Sequence, residues 1–186
     1  YSGLLRPISN FDRITSFKKI SREKIKVLLI TEPLISVFEI IPYLQSLLKH
    51  KDIEVAIKVR PMIKDIYYEE MLVKFPEIKN LQIYDGKIEE EGKEFDVFIG
   101  SMSTAIIEGS LFGKISVLLN TIKFGDYYDI DTLIPGQLLL VRQPELLYEH
   151  IVHRVNNEHS LNTIEIIRKR FFGENKDGAQ WIIEQL

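Results

Sequence analysis

The chain has 186 residues, 45% of them hydrophobic and 27% charged, the make-up of an ordinary globular domain with enough length for one sizeable core. A formal net charge of −3 and a pI near 5.9 argue against nucleic acid as the main partner, because phosphate-backbone binding normally leaves a basic face. Cysteine is absent, which excludes disulfides, thiolate metal sites and a cysteine nucleophile, and fits a cytoplasmic setting.

His50, His150, His153 and His159 fall on predicted helices or their ends without a closely placed acidic ligand set, so neither a metal nor a cofactor is expected. No apolar run approaches the ~20 residues that span a bilayer, and no signal peptide is present, so the segment is expected to be soluble. The sequence opens on Tyr1 rather than Met, in a polar stretch that reads as a linker, and we expect it to belong to a longer protein.

Residues 1–24 form a lead-in segment or linker, with Pro7, Ser9, Asn10 and several basic side chains and only a weak helical pattern from Ile14, Phe17 and Ile20. The run KVLLIT, residues 26–31, is the first buried strand, and Glu32-Pro33 ends it because the residue before proline is pushed toward extended geometry. From residue 36 to 50, Val37, Ile40, Ile41, Leu44, Leu47 and Leu48 recur at helical spacing, with Pro42 as a kink or a reset start. EVAIKVR, residues 54–60, alternates as a second strand with Val55, Ile57 and Val59 on one side. Ile66, Tyr67, Met71, Leu72 and Phe75 suggest a short helix ended by Pro76, and residues 81–84 a brief strand. The charged stretch 87–94 reads as a solvated helix face or loop.

Residues 96–120, DVFIGSMSTAIIEGSLFGKISVLLN, carry the densest information. Phe95, Val97 and Ile99 predict a strand ending at Gly100, and Ser101, Ser103 and Thr104 supply hydroxyls where a helix must begin. A helix start leaves free N–H groups and partial positive charge, which suit an anion. Ala105, Ile106, Ile107, Leu111 and Phe112 continue the helix, Gly113 closes it, and residues 115–119 form a strand buried on both faces. A long loop with Gly125, Pro135 and Gly136 spans 124–136, residues 138–141 make a last strand, and Pro144 starts a helix through Leu147, Ile151 and Val155. Further helices are predicted over 161–171 and 179–186.

Alternation of strands and helices predicts an α/β, Rossmann-like three-layer sandwich with a mostly parallel sheet, residues 25–160, closed by carboxy-terminal helices of the same domain at 161–186. In such sheets ligands bind beyond the carboxyl ends of the strands, so Arg60, Gly100, Ser101, Ser103, Thr104, Asn120 and the 124–136 loop should share one rim. The hydroxyls of Ser103 and Thr104 can meet a phosphate or simply cap the helix. Glu108 lies one turn past Thr104 on the same face and can accept ribose hydroxyls, or be a surface glutamate. Gly109 beside it lets a ligand or another strand come close. Arg60-Pro61 would present a planar donor fork to a phosphate or a surface ion pair. Asp126, Tyr127, Tyr128, Asp129 and Asp131 can touch a sugar or base, while the aspartates also suit turn caps.

EVAIKVRP followed by DVFIGSMSTAIIEGSLFGKISVLLN resembles the carboxy-terminal, donor-binding half of GT-B glycosyltransferases. Within them it is most similar to the bacterial surface-polysaccharide enzymes that include sialyltransferase-like, polysialyltransferase-like and CDP-glycerol glycerophosphotransferase-like proteins. The ending RKRFFGENKDGAQWIIEQL is similar too, and the resemblance covers roughly residues 25–186. It implies donor-phosphate contacts at Ser103 and Thr104 and a ribose contact at Glu108; by their place on the rim Arg60 and Ser101 join the phosphate set, and Gly100, Asn120, Asp126 and Tyr127 are further candidate donor contacts. The implied partners are a nucleotide-sugar donor and a glycan or lipid-linked acceptor held by an amino-terminal domain outside this segment. Peripheral membrane association of the full-length protein would be compatible with that role. Arg60 stands where the family has histidine, which keeps a phosphate charge but supplies no imidazole acid. Glutamates paired across seven residues are not available around Glu108, since position 100 is Gly and 116 is Ser. No carboxylate base of the acceptor half has a counterpart here, so the catalytic base would lie on the other domain. Two other functions stay open: a non-catalytic interaction module that has lost the donor site, and a nucleotide-sugar 2-epimerase, against which the poor histidine supply counts.

Overall fold

The structure, a computed structural model, describes residues 23–59, 64–86, 88, 92–130, 139–157, 166 and 169. The strands are β1 (Ile25–Ile30), β2 (Ile53–Lys58), β3 (Gln82–Tyr84), β4 (Val97–Gly100), β5 (Ile115–Leu119) and β6 (Leu139–Val141). The helices are α1 (Val37–Leu48), α2 (Lys64–Lys74), α3 (Thr104–Leu111) and α4 (Leu147–Asn156), and shorter 3-10 turns cover Pro76–Asn80, Gly92–Glu94 and Pro144–Leu146.

All six strands join one sheet in the order β3-β2-β1-β4-β5-β6, and every pairing is parallel. A parallel sheet needs both faces covered, and the side chains divide accordingly. On one face Val27, Leu29, Val55, Ile57, Val59, Val97, Ile99, Val117 and Val141 meet α1, α2 and α4 through Leu44, Leu47, Met71 and Ile151. On the other, Leu28, Ile30, Ala56, Phe98 and Leu118 meet Ile106 and Ile107 of α3, joined by Phe95 and Ile130, and Ile166 packs against them. This is the expected α/β, Rossmann-like architecture.

Pro42 lies inside α1 without ending it, so the helix is continuous from Val37, with the Ser36 side chain accepting from the Phe38 N–H as the cap. Pro76 opens a 3-10 turn besides ending the α2 region, and Pro144 likewise opens a 3-10 turn, with α4 beginning only at Leu147. The stretch read as a solvated face, 87–94, is described only in part; there Gly92 is buried and begins a 3-10 turn. The lead-in segment through residue 22, Arg60 and most of 158–186 lie outside the described residues.

Gly109 explains the thickness of the second layer. A Cβ on it would sit 2.4 Å from Cδ2 of Phe98, and one on Gly92 would sit 2.6 Å from Cζ of the same ring. Phe98, 1% exposed, therefore fills the gap between α3 and the 3-10 turn because both backbones lack side chains there. The close neighbour expected at Gly109 is thus a strand residue of the core.

Candidate functional site

Strand order reverses between β1 and β4: the chain runs outward through β2 and β3, then returns to β4 on the far side of β1. Open α/β sheets bind ligands at that reversal, because the loops leaving the two central strands part to opposite faces and leave a crevice. Here α1 follows β1 on one face and α3 follows β4 on the other, so both helices start at this crevice.

The β1 wall begins with Thr31, whose N–H and hydroxyl both donate to the Lys58 carbonyl at 3.0 Å. Glu32 follows, 3% exposed, with its carbonyl accepting from the Ile35 N–H at 2.9 Å. Lys58, 8% exposed at the end of β2, donates its Nζ to the Val59 carbonyl at 3.1 Å. Glu32 and Lys58 are thus both held below the surface at the carboxyl ends of β1 and β2, with Lys58 in register with Ile30, two residues before Glu32.

The β4 wall is tighter. A Cβ at Gly100 would lie 2.8 Å from the Ile30 carbonyl and 2.6 Å from Cδ1 of Ile106, so glycine is what lets α3 start so close to the sheet. Ser101 is buried, and its hydroxyl shares a 3.3 Å hydrogen bond with that of Thr121. Ser103 is the N-cap of α3 in extended geometry, is buried, and makes no side-chain capping bond. Thr104 is exposed at the first helical position. Glu108, half-buried, lies one turn further along α3.

Asn120 is held by its backbone: its N–H donates to the Val141 carbonyl at 2.9 Å and its carbonyl accepts from Tyr43 Oη at 2.9 Å. Tyr43 also donates to the Val141 carbonyl at 3.1 Å, and burial first, with Glu145 and Glu39 adding to it, pushes its hydroxyl pKa up to about 12. The loop 121–130 closes on itself through the Gly125 N–H and the Thr121 carbonyl at 2.7 Å, and the Asp129 N–H donates to the Asp126 carbonyl at 3.0 Å. Asp126 therefore takes a turn role through its backbone, and Asp129 has φ +52°, a left-handed value that aspartate tolerates. Tyr127 is half-exposed, its ring edge-on between Phe124 at 5.8 Å and Tyr128 at 5.0 Å.

Tyr128 ties this loop to the β4 wall by donating its hydroxyl to the Met102 carbonyl at 2.7 Å. Burial first, then Tyr127, Glu32 and Glu108, hold its pKa above the ordinary tyrosine value. Glu32 also raises Tyr67, after burial and Glu70, and the Tyr67 hydroxyl has no hydrogen-bond partner among the described residues. Tyr67 belongs to the α2 side and Tyr128 packs on the α3 side, so the Glu32 carboxylate influences both faces from the sheet edge between them.

Of the residues singled out in the sequence, Gly100, Ser101, Ser103, Thr104, Asn120, Asp126 and Tyr127 gather along the carboxyl ends of β4 and β5, with Glu108 one turn behind. Arg60 is outside the described residues. Ser101 is buried, its hydroxyl sharing a hydrogen bond with that of Thr121. Glu32 and Thr121 were not singled out in the sequence, whereas Tyr128 was, as a loop side chain able to touch a sugar or base. Among the described residues no group of His, Asp and Glu is arranged to hold a metal ion, and no helix is long and apolar enough to cross a membrane.

This crevice and sheet define a Rossmann-like α/β domain of the kind found in GT-B glycosyltransferases. Two solved structures of the spinosyn rhamnosyltransferase SpnG share the fold. The complex with spinosyn aglycone has TM-score 0.55 and 11% identity over 100% of this chain and 50% of that one. The thymidine diphosphate complex has TM-score 0.55 and 10% identity over 100% of this chain and 49% of that one. The chain thus spans about half the length of these neighbours. No family model and no curated protein sequence matches it.

Proposed function

We propose that this chain is the donor-binding half of a glycosyltransferase, holding a nucleotide-activated sugar in the crevice between β1 and β4. The observation that carries this reading is the start of α3: an N-cap serine without a capping bond, at the reversal of strand order, on a GT-B-like fold. The amides and hydroxyls of Ser103 and Thr104 neutralise the donor phosphate as the glycosidic bond breaks, and Glu108 accepts the ribose hydroxyls. Glu32 and Glu108 flank the turn with negative charge, so phosphate binding there draws on cations; Lys58 is one, and Arg60 follows on the same chain segment. The sequence resemblance to surface-polysaccharide enzymes favours a glycan or lipid-linked acceptor, with acceptor and catalytic base carried by another domain. The SpnG complex with thymidine diphosphate makes a nucleoside diphosphate the natural first probe.

Calorimetric titration with CMP, CDP, UDP, GDP and TDP tests this. Binding that prefers one base, and that Ser103→Ala and Thr104→Ala weaken, is the expected result; no binding by any of them at millimolar concentration refutes it. A second reading, a non-catalytic interaction module, draws on Leu34, Phe38 and Ile122, which are 59%, 61% and 95% exposed beside the same rim. They adjoin one another, since Lys123 donates to the Leu34 carbonyl and the Ile122 N–H donates to Glu39. That reading gains if nucleotides fail to bind while substitutions at these three positions abolish function of the parent protein.

A further inference from the structure

The turn 101–103 is held from outside by the loop 121–130, at its root through Thr121 and Ser101 and at its far end through Tyr128 and Met102. The second link has a directional effect. A trans peptide is planar, so its C=O and N–H point in opposite directions, and no cis peptide occurs among the described residues. Because the Met102 carbonyl is drawn to Tyr128, the N–H of the same peptide unit, that of Ser103, is turned away from the loop. No backbone acceptor among the described residues receives that N–H, and Ser103, buried at 7% exposure, makes no side-chain capping bond.

We infer that Tyr128 is a positioning residue for the donor phosphate: by engaging the Met102 carbonyl, its hydroxyl fixes the Ser103 amide as an open hydrogen-bond donor at the start of α3. This rests on the donor-binding reading above. The loop is built to hold the hydroxyl in place. Asp129, immediately after Tyr128, adopts a left-handed backbone, the Asp126–Asp129 turn closes beneath it, and Ile130 anchors the end of the loop in the core at 1% exposure. Tyr127 packs its ring perpendicular to that of Tyr128, restricting it from the solvent side. A preset amide is worth more to an anion than a mobile one, because no reorganisation is needed when the ligand arrives.

Tyr128→Phe keeps the ring and removes only the hydroxyl. In the whole chain it should weaken binding of the preferred nucleoside diphosphate about fivefold or more, the scale of one lost hydrogen bond and its alignment. Hydrogen exchange at the Ile106 amide, which donates to the Ser103 carbonyl at 3.1 Å, should accelerate at least about threefold, while amides of β1 and β2 keep wild-type rates. An unchanged thermal midpoint alongside these effects separates positioning from bulk stabilisation. Wild-type diphosphate affinity in Tyr128→Phe, or wild-type exchange at Ile106, overturns the inference. If the unsubstituted chain binds no diphosphate, the donor-binding reading fails instead, and the exchange result alone decides whether Tyr128 sets the turn.

Discussion

Gly109→Ala puts the packing of α3 on the sheet to a direct test. The new Cβ would stand 2.4 Å from Cδ2, 3.0 Å from Cε2 and 3.2 Å from Cγ of Phe98, against ordinary contact from 3.4 Å, so the ring or the helix must shift by about 1 Å. The ring has no room to retreat, because its tip already lies against the Gly92 backbone, where a Cβ would be 2.6 Å away. Overpacking of a closed site costs up to about 3 kcal/mol, and alanine returns about 1 kcal/mol in helix propensity. The net loss is about 2 kcal/mol, a fall of roughly 4–8 °C in thermal midpoint for a domain of this size. Circular dichroism melts of Gly109→Ala, Phe98→Leu and the double variant form a cycle. Leucine keeps Cγ and Cδ carbons but loses the ring tip that abuts Gly92, so in the Phe98→Leu background the side chain can retreat and Gly109→Ala should cost clearly less than in the wild type. A single variant as stable as wild type, or equal effects of Gly109→Ala in both backgrounds, would refute the packing argument.

Tyr43 has a folded-state pKa of about 12 against an ordinary 10, so the folded state keeps a proton that the unfolded chain releases; its contribution is intact below pH 10 and lost as pH rises toward 12. Thermal midpoints should therefore fall over that window, and Tyr43→Phe should flatten the fall while costing about 1 kcal/mol at neutral pH through loss of its bonds to Asn120 and Val141. Glu108→Gln should weaken nucleoside diphosphate binding about tenfold, the scale of a charge-assisted hydrogen bond. It should leave pyrophosphate affinity equal or higher, because it removes a negative charge near the turn; a matched loss for both probes would count against a ribose contact.

The central strands were readable because β1, β4 and β5 are buried on both faces and so appear as continuous apolar runs too short for helices. The helix start at Ser103 and its end near Gly113, with φ +71°, followed from local chemistry alone. Glu32 was not readable in the same way. It looked like a strand end before a proline, and its importance depends on β1 lying beside β4, a pairing across some 70 residues of chain that no local spacing records. Tyr128 shares that difficulty: its neighbour Met102 is 26 positions away, and nothing in the loop sequence distinguishes its hydroxyl from that of Tyr127. A carboxylate placed just after the first strand of a βαβ series is the one signal that strand-order reasoning could have used.

The all-parallel sheet also dictates how the chain can come together. The β1, α1 and β2 unit can assemble as soon as residue 58 is available, but the other edge of β1 stays bare until β4, ending at Gly100, arrives. Through that interval a central strand of the finished protein carries unpaired N–H and C=O groups beside an apolar run, the arrangement most open to pairing with another chain. Ribosomal synthesis at about 5–20 residues per second makes the exposure last seconds. Folding yield should therefore depend on how quickly residues 59–96 can be folded or shielded, and a chain stopped before residue 97 should associate through β1 where the longer chain does not.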